Sequence, residues 1–404
     1  MTSSAFTFNP FAEGFTDDPY PHYGELRAQA PAYEHPLGFW IVSRYADVAP
    51  LQRSRHSVDE QHLTRLPRWK QDSATLGKEN RMMRGLALLD QDPPDHTRLR
   101  RLVAGAFTRA AVARLEPRIE ALVDAGLSRI ADAGGGDVVA ELAFPLPFTV
   151  ISDVLGVPGA GPGRLRELAG TLALGLEPLA GPEQQAAVRA ANEELTALVR
   201  DLAQWKRGHL GDDLFSALIA AADEGGGTLS HDELIAQVMF LYVAGHETTA
   251  NLVASGILAL LRHPDQFRML QQSPELAGNA VEELLRYDTP VHLMRRITVE
   301  PLPVQGVVIP PGSWVVAALA AANRDPGFWG ADAGELRLDR PDAHLNVSFG
   351  AGAHHCLGAY LARLEAKVAF AGFARRLPAA RVIEARWNGR INVRGLAQLS
   401  VAAG

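Results

Sequence analysis

The segment around Cys356, the only cysteine in the 404-residue chain, carries the clearest chemical signal in the sequence. Residues 349–358 read FGAGAHHCLG, and glycines at 350 and 352 allow a turn that would strain residues with a Cβ atom. A helical pattern follows, so the thiol lies at a helix start, where backbone N–H groups and the helix dipole lower its pKa. A lone thiolate of this kind suits one axial bond to a metal better than a four-ligand zinc site.

Three other interpretations of this segment are open from the residues alone. A buried structural thiol would need neither the glycines nor the adjacent His354 and His355. A phosphate-binding loop would end in Gly-Lys-Ser/Thr, which is missing here. A cysteine-protease nucleophile would need a base that no motif supplies. The segment therefore favours a metal or cofactor role.

A second polar group interrupts an apolar stretch at residues 244–249 (AGHETT). Gly245 in a helix interior costs about 1 kcal/mol relative to alanine, so a compensating contribution is expected. The hydroxyl of Thr248, turned toward nearby carbonyl groups beside this glycine, can open a groove for dioxygen and water. The segment nearly matches the zinc-protease pattern His-Glu-x-x-His, but Ala250 removes the second ligand. A polar pair satisfied within the helix is the structural alternative for Glu247 and Thr248.

Two charged pairs have helical spacing. His96 and Arg100 lie four residues apart, and two cationic groups on one helix face repel each other unless an anion lies between them. Glu283 and Arg286 lie three residues apart, and such a pair contributes little when it is exposed. A solvated basic face is the alternative for the first pair, and an ordinary surface ion pair for the second.

The elements that position these residues are mostly helices. Helical spacing recurs from about residue 95 to 222, and Ser230 to Glu233 form a capping box. The helix that follows runs to about residue 263, roughly 48 Å at about 1.5 Å per residue. Further helices are expected at 23–29, 275–287 and 357–376, and β segments at 39–43, 291–299, 304–309, 314–319 and after 376. Residues 53–94 are expected to be a long connection of the kind that forms a lid, and residues 323–348 to be irregular.

Composition limits the possible functions. Hydrophobic residues make up 47% of the chain and charged residues 21%, which allows a sizeable buried core, and we expect a single domain over residues 1–404. The net charge of -7 argues against a general nucleic-acid binder. A single cysteine fits a reducing cytoplasm. The first ten residues show no targeting pattern, and the apolar stretch 234–261 is too polar in its middle to span a membrane.

The segment FGAGAHHCLG resembles the haem-binding loop of the cytochromes P450, and residues 361–365 (LARLE) continue as in bacterial members. The likeness runs in order from about residue 18 to the C-terminus and includes Glu283-x-x-Arg286 and residues 92–98 (DPPDHTR). It implies the mainly α cytochrome P450 fold, with a helix-rich lobe and a smaller β-rich region. Haem b would lie between the long central helix and the cysteine-loop helix, with Cys356 as axial ligand of its iron. A thiolate ligand favours cleavage of the O–O bond.

The resemblance also implies roles for individual residues. Glu247 and Thr248 are the acid–alcohol pair that delivers protons during oxygen activation. Glu283 and Arg286 lock the segment beneath the haem, with Arg340 as a third partner. The residues that contact the haem are His96, Arg100, Ala244, Gly245, Arg296, Phe349, Gly350, His354, Cys356 and Gly358, and of these His96, Arg100, Arg296 and His354 bind propionates. The substrate pocket draws on Met82, Met83, Leu86, Leu88, Met239, Val243, Ala244, Val291, His292, Leu293, Met294, Leu396 and Ala397, for which ordinary core is the alternative.

The function that the resemblance implies is a monooxygenase that hydroxylates or epoxidises a hydrophobic organic molecule in secondary metabolism. A polyketide, terpenoid, steroid or cyclic peptide would suit the apolar pocket, with His292 as one polar contact. No flavin or iron–sulfur sequence is attached, so a ferredoxin and its NAD(P)H-dependent reductase supply electrons, and Arg98, Arg101 and Arg109 are candidates to meet the ferredoxin. We expect a cytoplasmic monomer that binds neither nucleic acid nor membrane.

Two alternatives to this function remain. A cytochrome P450 can couple two aromatic rings or form a C–C bond without inserting oxygen. A non-enzymatic haem sensor or carrier is the other, and the presence of both Glu247 and Thr248 argues against it.

Overall fold

A computed structural model describes residues 6–64, 85–157, 162–177, 181–224 and 228–404. Over these ranges the chain is mainly helical, as predicted, because apolar residues at helical spacing bury one face of each helix. The α-helices are α1 (Tyr20–Gln29), α2 (Tyr45–Arg53), α3 (Asp95–Ala104), α4 (Arg109–Ala113), α5 (Glu116–Asp132), α6 (Pro145–Leu155), α7 (Pro162–Ala173), α8 (Pro182–Arg207), α9 (Leu214–Asp223), α10 (His231–Arg262), α11 (Pro264–Gln272), α12 (Ala277–Tyr287), α13 (Leu319–Ala322), α14 (Pro326–Trp329) and α15 (Ala359–Arg376).

A smaller β region accompanies the helices. Its strands are β1 (Ala32–His35), β2 (Phe39–Val42), β3 (Gly135–Asp137), β4 (Leu293–Ile297), β5 (Leu302–Val304), β6 (Val307–Ile309), β7 (Trp314–Ala318), β8 (Arg381–Trp387) and β9 (Leu396–Ala402). They form sheets in the orders β1-β2-β7-β4, β3-β9-β8 and β5-β6. The pair β2–β7 is parallel and the others are antiparallel.

Helix α10 lies at the centre of the helical region and packs against α6, α8 and α15. The predicted capping box is confirmed: Glu233 N donates to Ser230 Oγ at 3.1 Å, and Ser230 N donates to the Glu233 carboxylate at 2.8 Å. Because neighbouring helices surround it, most of its residues between Leu234 and Leu260 are buried. This burial explains an apolar helix without a polar face. Among the described residues, no helix has both the length and the apolar character that crossing a membrane requires.

Gly135 and Gly136 follow α5 and form strand β3 together with Asp137. Gly135 has φ 151°, and a Cβ atom there would collide with the carbonyl oxygen of Val401. Strand β3 can therefore approach β9 closely only because a glycine stands at this position. A three-residue strand of this composition carries no periodic pattern, so it was not foreseen.

Other boundaries differ from the predictions by a few residues. The predicted helix 275–287 begins as a 3-10 turn, Pro274–Leu276, before α12. The segment predicted as β at 304–309 is a hairpin, because Gln305 and Gly306 both have positive φ (49° and 82°) and reverse the chain. Within the long connection 53–94, 3-10 turns lie at Glu60–His62 and Leu88–Asp90. Residues 65–84, with Met82 and Met83, lie outside the described residues.

Candidate active site

The cysteine loop is a tight turn whose backbone is held by its own ends. Cys356 N donates to the carbonyl oxygen of Phe349 at 2.8 Å. Gly350 and Gly352 have φ of 66° and 70°, in the left-handed region that favours glycine. A Cβ atom at Gly352 would also lie 3.0 Å from the carbonyl oxygen of Gln52. The predicted need for glycine at these two positions is therefore met by both backbone conformation and close packing.

The ionisation of Cys356 differs from the prediction. Burial raises the pKa of this thiol, while the backbone N–H of Gly358 and the charges of Arg100 and Arg363 lower it. The expected contribution of the helix start is present through Gly358, but the cost of placing a charge in an apolar interior is larger. The prediction of a net lowered pKa is wrong for the protein by itself. A cation bonded to sulfur would reverse this balance.

One face of α10 is open in its middle. Ala244 is the one exposed residue between positions 234 and 261, and Phe240 and Thr248, four residues before and after it, are half-buried. Residues four apart share a helix face, so these three form a continuous stripe that borders an open space. Ala244 and Thr248 were predicted on this face, and Phe240 was missed although its spacing from Ala244 indicates it.

The polar residues of α10 keep the helix intact. Thr248 Oγ1 donates to the carbonyl oxygen of Ala244 at 3.0 Å, and α10 continues through this position without a break. The hydroxyl oxygen can still accept a hydrogen bond from another donor. Gly245 also has a packing role, because a Cβ atom there would lie 3.2 Å from Ile151 Cγ1. Gly245 thus permits close packing of α6 against α10.

Glu247 forms a buried ion pair that the sequence did not indicate. Its Oε2 lies 2.6 Å from Nη1 of Arg390, which belongs to the turn between β8 and β9. Burial raises the pKa of Glu247, and Arg390 lowers it by its charge and hydrogen bond. Because burial is the larger effect, the neutral acid persists to higher pH than in an exposed glutamate. A buried acid of this kind is a candidate for proton transfer.

Four cationic residues predicted to bind propionates lie close together. The rings of His96 and His354 are 4.3 Å apart between centroids, and both side chains are buried or nearly so. Arg100 donates to the carbonyl oxygens of Ala353 and His355 at 3.1 and 2.8 Å. Burial lowers the pKa of Arg296 to about 10, and burial, His96 and Arg296 lower the pKa of His354 to about 3. These directions show that the site disfavours positive charge on its basic side chains, an effect that a nearby anion would offset.

Asp92 is a member of this cluster that sequence reasoning placed only in a lead-in motif. Its carboxylate accepts from Ser57 Oγ and, at 3.1 Å, from Val58 N, and lies 4.0 Å from Nε2 of His354. Among the described residues, Nε2 of buried His96 has no hydrogen-bond partner. One carboxylate does not balance the cluster, so the arrangement fits an additional anionic ligand.

The predicted Glu283–Arg286 pair is fully buried rather than exposed. Arg286 donates to the Glu283 carboxylate through Nε and Nη2 at 2.7 and 2.8 Å, and Arg340 donates to the same carboxylate at 3.1 Å. Arg286 Nη1 also donates to the carbonyl oxygen of Asn323 at 2.9 Å, and Asn323 Oδ1 accepts from Val347 N. Arg340 as the third partner is confirmed. The network connects α12 to the segment that precedes the cysteine loop.

The predicted pocket residues separate into two groups. Leu86, Val291, Leu293 and Met294 are half-buried and Ala397 is exposed, so they can border a cavity. Five others are buried, and their place in the pocket stays a prediction: Leu88, Met239, Val243, His292 and Leu396. Met239 and Val243 lie one position away from the open face of α10 and belong to the core. His292 is enclosed by the rings of Tyr20 and Tyr23 at 6.1 and 5.8 Å.

Comparison with known proteins agrees with this geometry. The family model described as "Cytochrome P450" matches residues 186–277 and 274–377. Cytochrome P450 monooxygenase PikC of Streptomyces venezuelae is 39% identical over 91% of this chain and 85% of its own length. Vitamin D(3) 25-hydroxylase of Pseudonocardia autotrophica is 38% identical over 98% of this chain and 96% of its own.

The fold is also similar to that of solved cytochrome P450 structures. The solved structure of P450BioI in complex with an acyl carrier protein ligated to hexadec-9Z-enoic acid superimposes with a TM-score of 0.89 at 32% identity, covering 97% of this chain and 100% of that one. The predicted fold, with its helix-rich region and smaller β region, is confirmed. On this similarity over nearly the whole chain, and on the cysteine loop and cation cluster described above, the protein belongs to the cytochrome P450 family of haem b-dependent monooxygenases.

Proposed function

We propose that this enzyme inserts one oxygen atom from O2 into a hydrophobic organic substrate, by hydroxylation or epoxidation, in secondary metabolism. The observation that carries the proposal is the open stripe Phe240, Ala244 and Thr248 on α10, directly beside the buried acid Glu247. A mostly apolar surface suits an apolar substrate, and an alcohol next to an acid can deliver protons.

The residues present fit haem b. Cys356 would bind the iron, and His96, Arg100, Arg296 and His354 would bind the two propionates, because their buried positive cluster lacks sufficient negative charge. Haem b, when bound, supplies the redox chemistry that activates dioxygen. The roles of the chain itself are to present the thiolate, neutralise the propionates and shape the pocket.

Proton delivery falls to Glu247 and Thr248. Glu247, whose pKa burial raises, would accept and release a proton inside the protein. Thr248 donates its hydroxyl proton to the Ala244 carbonyl, which orients the hydroxyl oxygen to accept a hydrogen bond at the open face of α10. Together they would provide an ordered path for protons where bulk water is excluded.

Electrons come from redox partners, for which a ferredoxin with its NAD(P)H-dependent reductase is the proposed supply. Arg101 borders the depression beside the cysteine loop, and Arg109 lies 4.8 Å above the exposed ring of Tyr360. Arg98 is a weaker candidate than the sequence indicated, because it pairs with Glu233 and Asp95. A cytoplasmic, monomeric enzyme remains a prediction.

The names of the relatives support a hydrophobic substrate. One relative is named for hydroxylation of vitamin D(3), and one structure holds a fatty acyl chain on a carrier protein. Vitamin D(3) and a long acyl chain are both hydrophobic, so a panel should include free steroids, polyketides, terpenoids and cyclic peptides, and carrier-bound acyl chains.

The first experiment is an optical titration of the purified ferric protein against this panel. A substrate that expels water from the iron shifts the Soret band to shorter wavelength, and a saturable shift would identify the class. Turnover in 18O2 should then yield a product that carries one labelled atom. A coupled product without label would contradict the proposal and favour the ring-coupling alternative.

Cys356→Ser tests the iron ligand directly. The reduced carbon monoxide complex of the wild type should show the red-shifted Soret band of a thiolate-bound haem, and the variant should lose it. His355→Ala is the matched control, because His355 is an exposed neighbour in the same loop. An unchanged band in Cys356→Ser would refute the assignment.

A further inference from the structure

The turn between β8 and β9, residues 388–395, is here termed the C-terminal turn. It contacts both α10 and α7. It contacts α10 through Arg390, and a Cβ atom at Gly395 would collide with the side chain of Asn251, also on α10. It contacts the 3-10 turn Leu174–Leu176, which follows α7, through Asn392, whose Nδ2 donates to the carbonyl oxygen of Leu176 at 3.0 Å. The turn therefore bridges α10 and the segment that follows α7.

Glu177 is the main anchor of this bridge. Its Oε2 accepts from the backbone N–H groups of Ile391 and Asn392 at 2.8 and 2.9 Å, and its Oε1 accepts from that of Val393 at 2.8 Å. Three consecutive backbone donors held by one carboxylate form a strong, charge-assisted contact. Because no side chain of the turn takes part in these three bonds, Glu177 fixes the path of the backbone itself.

The two terminal nitrogens of the Arg390 guanidinium contact different helices. Nη1 lies 2.6 Å from Oε2 of Glu247 on α10, and Nη2 donates to the carbonyl oxygen of Gly170 on α7 at 3.4 Å. A planar guanidinium with both ends engaged has little freedom to rotate. Arg390 therefore holds the Glu247 carboxylate toward α7. A shift of α7 would move Arg390 and, with it, the Glu247 carboxylate.

The charged groups that face Glu247 come from these same elements. Arg390 of the C-terminal turn is its ion-pair partner, and Glu177, directly after the 3-10 turn that follows α7, is the nearby carboxylate. Arg390 favours the ionised form of Glu247, and the negative charge of Glu177 disfavours it. Arg390 therefore lies between two carboxylates: it contacts Glu247 directly, and Glu177 holds the backbone of the turn that carries Arg390.

We propose that Arg390 is a positioning residue for Glu247 and that Glu177 holds the C-terminal turn so that Arg390 can act. These contacts couple the position of α7 to the orientation and protonation of the proton-delivering acid. Whether Glu247 delivers protons rests on the proposed function, but the coupling itself is a property of these three side chains and can be measured separately.

The test is the titration of Glu247 in the holoenzyme, followed by infrared difference spectroscopy of its carboxylic acid C=O band. The band is assigned as the one that disappears in Glu247→Gln, which separates it from other carboxyl groups. In Arg390→Gln the acid dissociation constant of Glu247 should fall about 10- to 1000-fold, the usual effect of removing a contacting opposite charge. Arg390→Lys should restore part of that loss.

Arg386→Gln is the matched control, since exposed Arg386 lies on β8 four residues from Arg390, and it should leave the titration unchanged. The Arg390→Gln effect should also shrink in a Glu177→Ala background, because a released turn no longer holds Arg390 against Glu247. An unchanged titration in Arg390→Gln, or an undiminished effect in the double variant, would overturn the proposal.

The proton role is tested independently by product yield. If Glu247→Gln formed product per NADPH consumed as efficiently as the wild type, the proton path of the proposed function would fail. The titration would still decide the coupling, because the infrared band reports the ionisation of Glu247 whatever reaction the enzyme performs.

Discussion

Single ionisable side chains in this enzyme owe their state to where the fold places them. Burial raises the pKa of Glu247 and of Cys356 and lowers that of His292 to about 3, because each charged form loses its hydration. For Cys356 and Glu247 a neighbouring arginine opposes this effect. His292 is surrounded by Arg394 and Arg324 as well as Asp288, and it stays neutral.

Thr248→Ala should uncouple electron consumption from product formation. Without the hydroxyl, the open face of α10 has no group that accepts and passes a proton, so product per NADPH should fall about tenfold or more. Thr248→Ser should retain most of the coupling, and Thr249→Val, at the buried neighbouring position, should change it little. Equal coupling in wild type and Thr248→Ala, measured as product against NADPH and peroxide, would contradict the proton path.

His292 should make the fold acid-labile. In the unfolded chain its pKa is near 6.5, whereas in the folded protein it is about 3, so below about pH 6.5 only the unfolded state binds this proton. Stability is then lost as pH falls from about 6.5 toward 3, with a slope approaching about 1.4 kcal/mol per pH unit. His292→Asn removes the titrating group, so its unfolding free energy should vary less between pH 7 and 5. Parallel urea-unfolding profiles for the two proteins would show that His292 is not the source.

At the scale of elements, the ends of α6, α8 and α9 pack together through one buried ion pair. Gly156 ends α6 with φ 62°, and its carbonyl oxygen accepts from Nζ of buried Lys206 at 2.8 Å. Lys206 also lies 2.7 Å from Oδ2 of Asp213, which caps α9 by accepting from Ser216 N at 2.9 Å. Three helix termini thus meet at one buried ion pair.

Gly156→Ala should lower the free energy of unfolding by about 2 kcal/mol or more. A left-handed conformation costs an alanine about 1–2 kcal/mol, and its Cβ would collide with the side chain of Asp213, disturbing the ion pair. Gly278→Ala is the control: the added Cβ has nothing within 4 Å, and alanine favours the helix there. Equal urea midpoints for the two variants would contradict this account of the junction.

At the scale of the whole molecule, charge is unevenly distributed. The net charge is -7, yet Arg100, Arg101 and Arg109 lie near the cysteine loop. A local positive surface attracts an acidic partner even when the total charge is negative, and salt weakens this attraction. The proposed ferredoxin, if it is acidic, would be attracted to the surface beside Cys356.

Arg109→Glu should slow reduction by a ferredoxin about tenfold at low salt, because it reverses one charge on this surface. The difference from wild type should narrow as ionic strength rises. Stopped-flow reduction under carbon monoxide measures the rate, and Arg386→Glu on exposed β8 serves as control for the change in net charge. Identical slowing in both variants would argue against docking at the cysteine loop.

Short-range features of the protein could be predicted from the residues alone. The capping box of α10, the glycines of the cysteine loop and the Glu283–Arg286 pair each depend on residues a few positions apart, so their spacing predicts their contacts. The helical periodicity likewise predicted most element types, because an amphipathic helix buries a fixed face. Resemblance to the family then indicated which of these features belong to one site.

Contacts between distant parts of the chain appeared only in the tertiary structure. Arg390 lies 143 positions from Glu247 and carries no local pattern, so neither their ion pair nor the anchor at Glu177 could be predicted. The burial of His292, the packing of Gly245 on Ile151 and the raised pKa of Cys356 have the same origin. Each depends on desolvation and close approach by atoms from other elements, which the order of residues does not specify until the chain has packed.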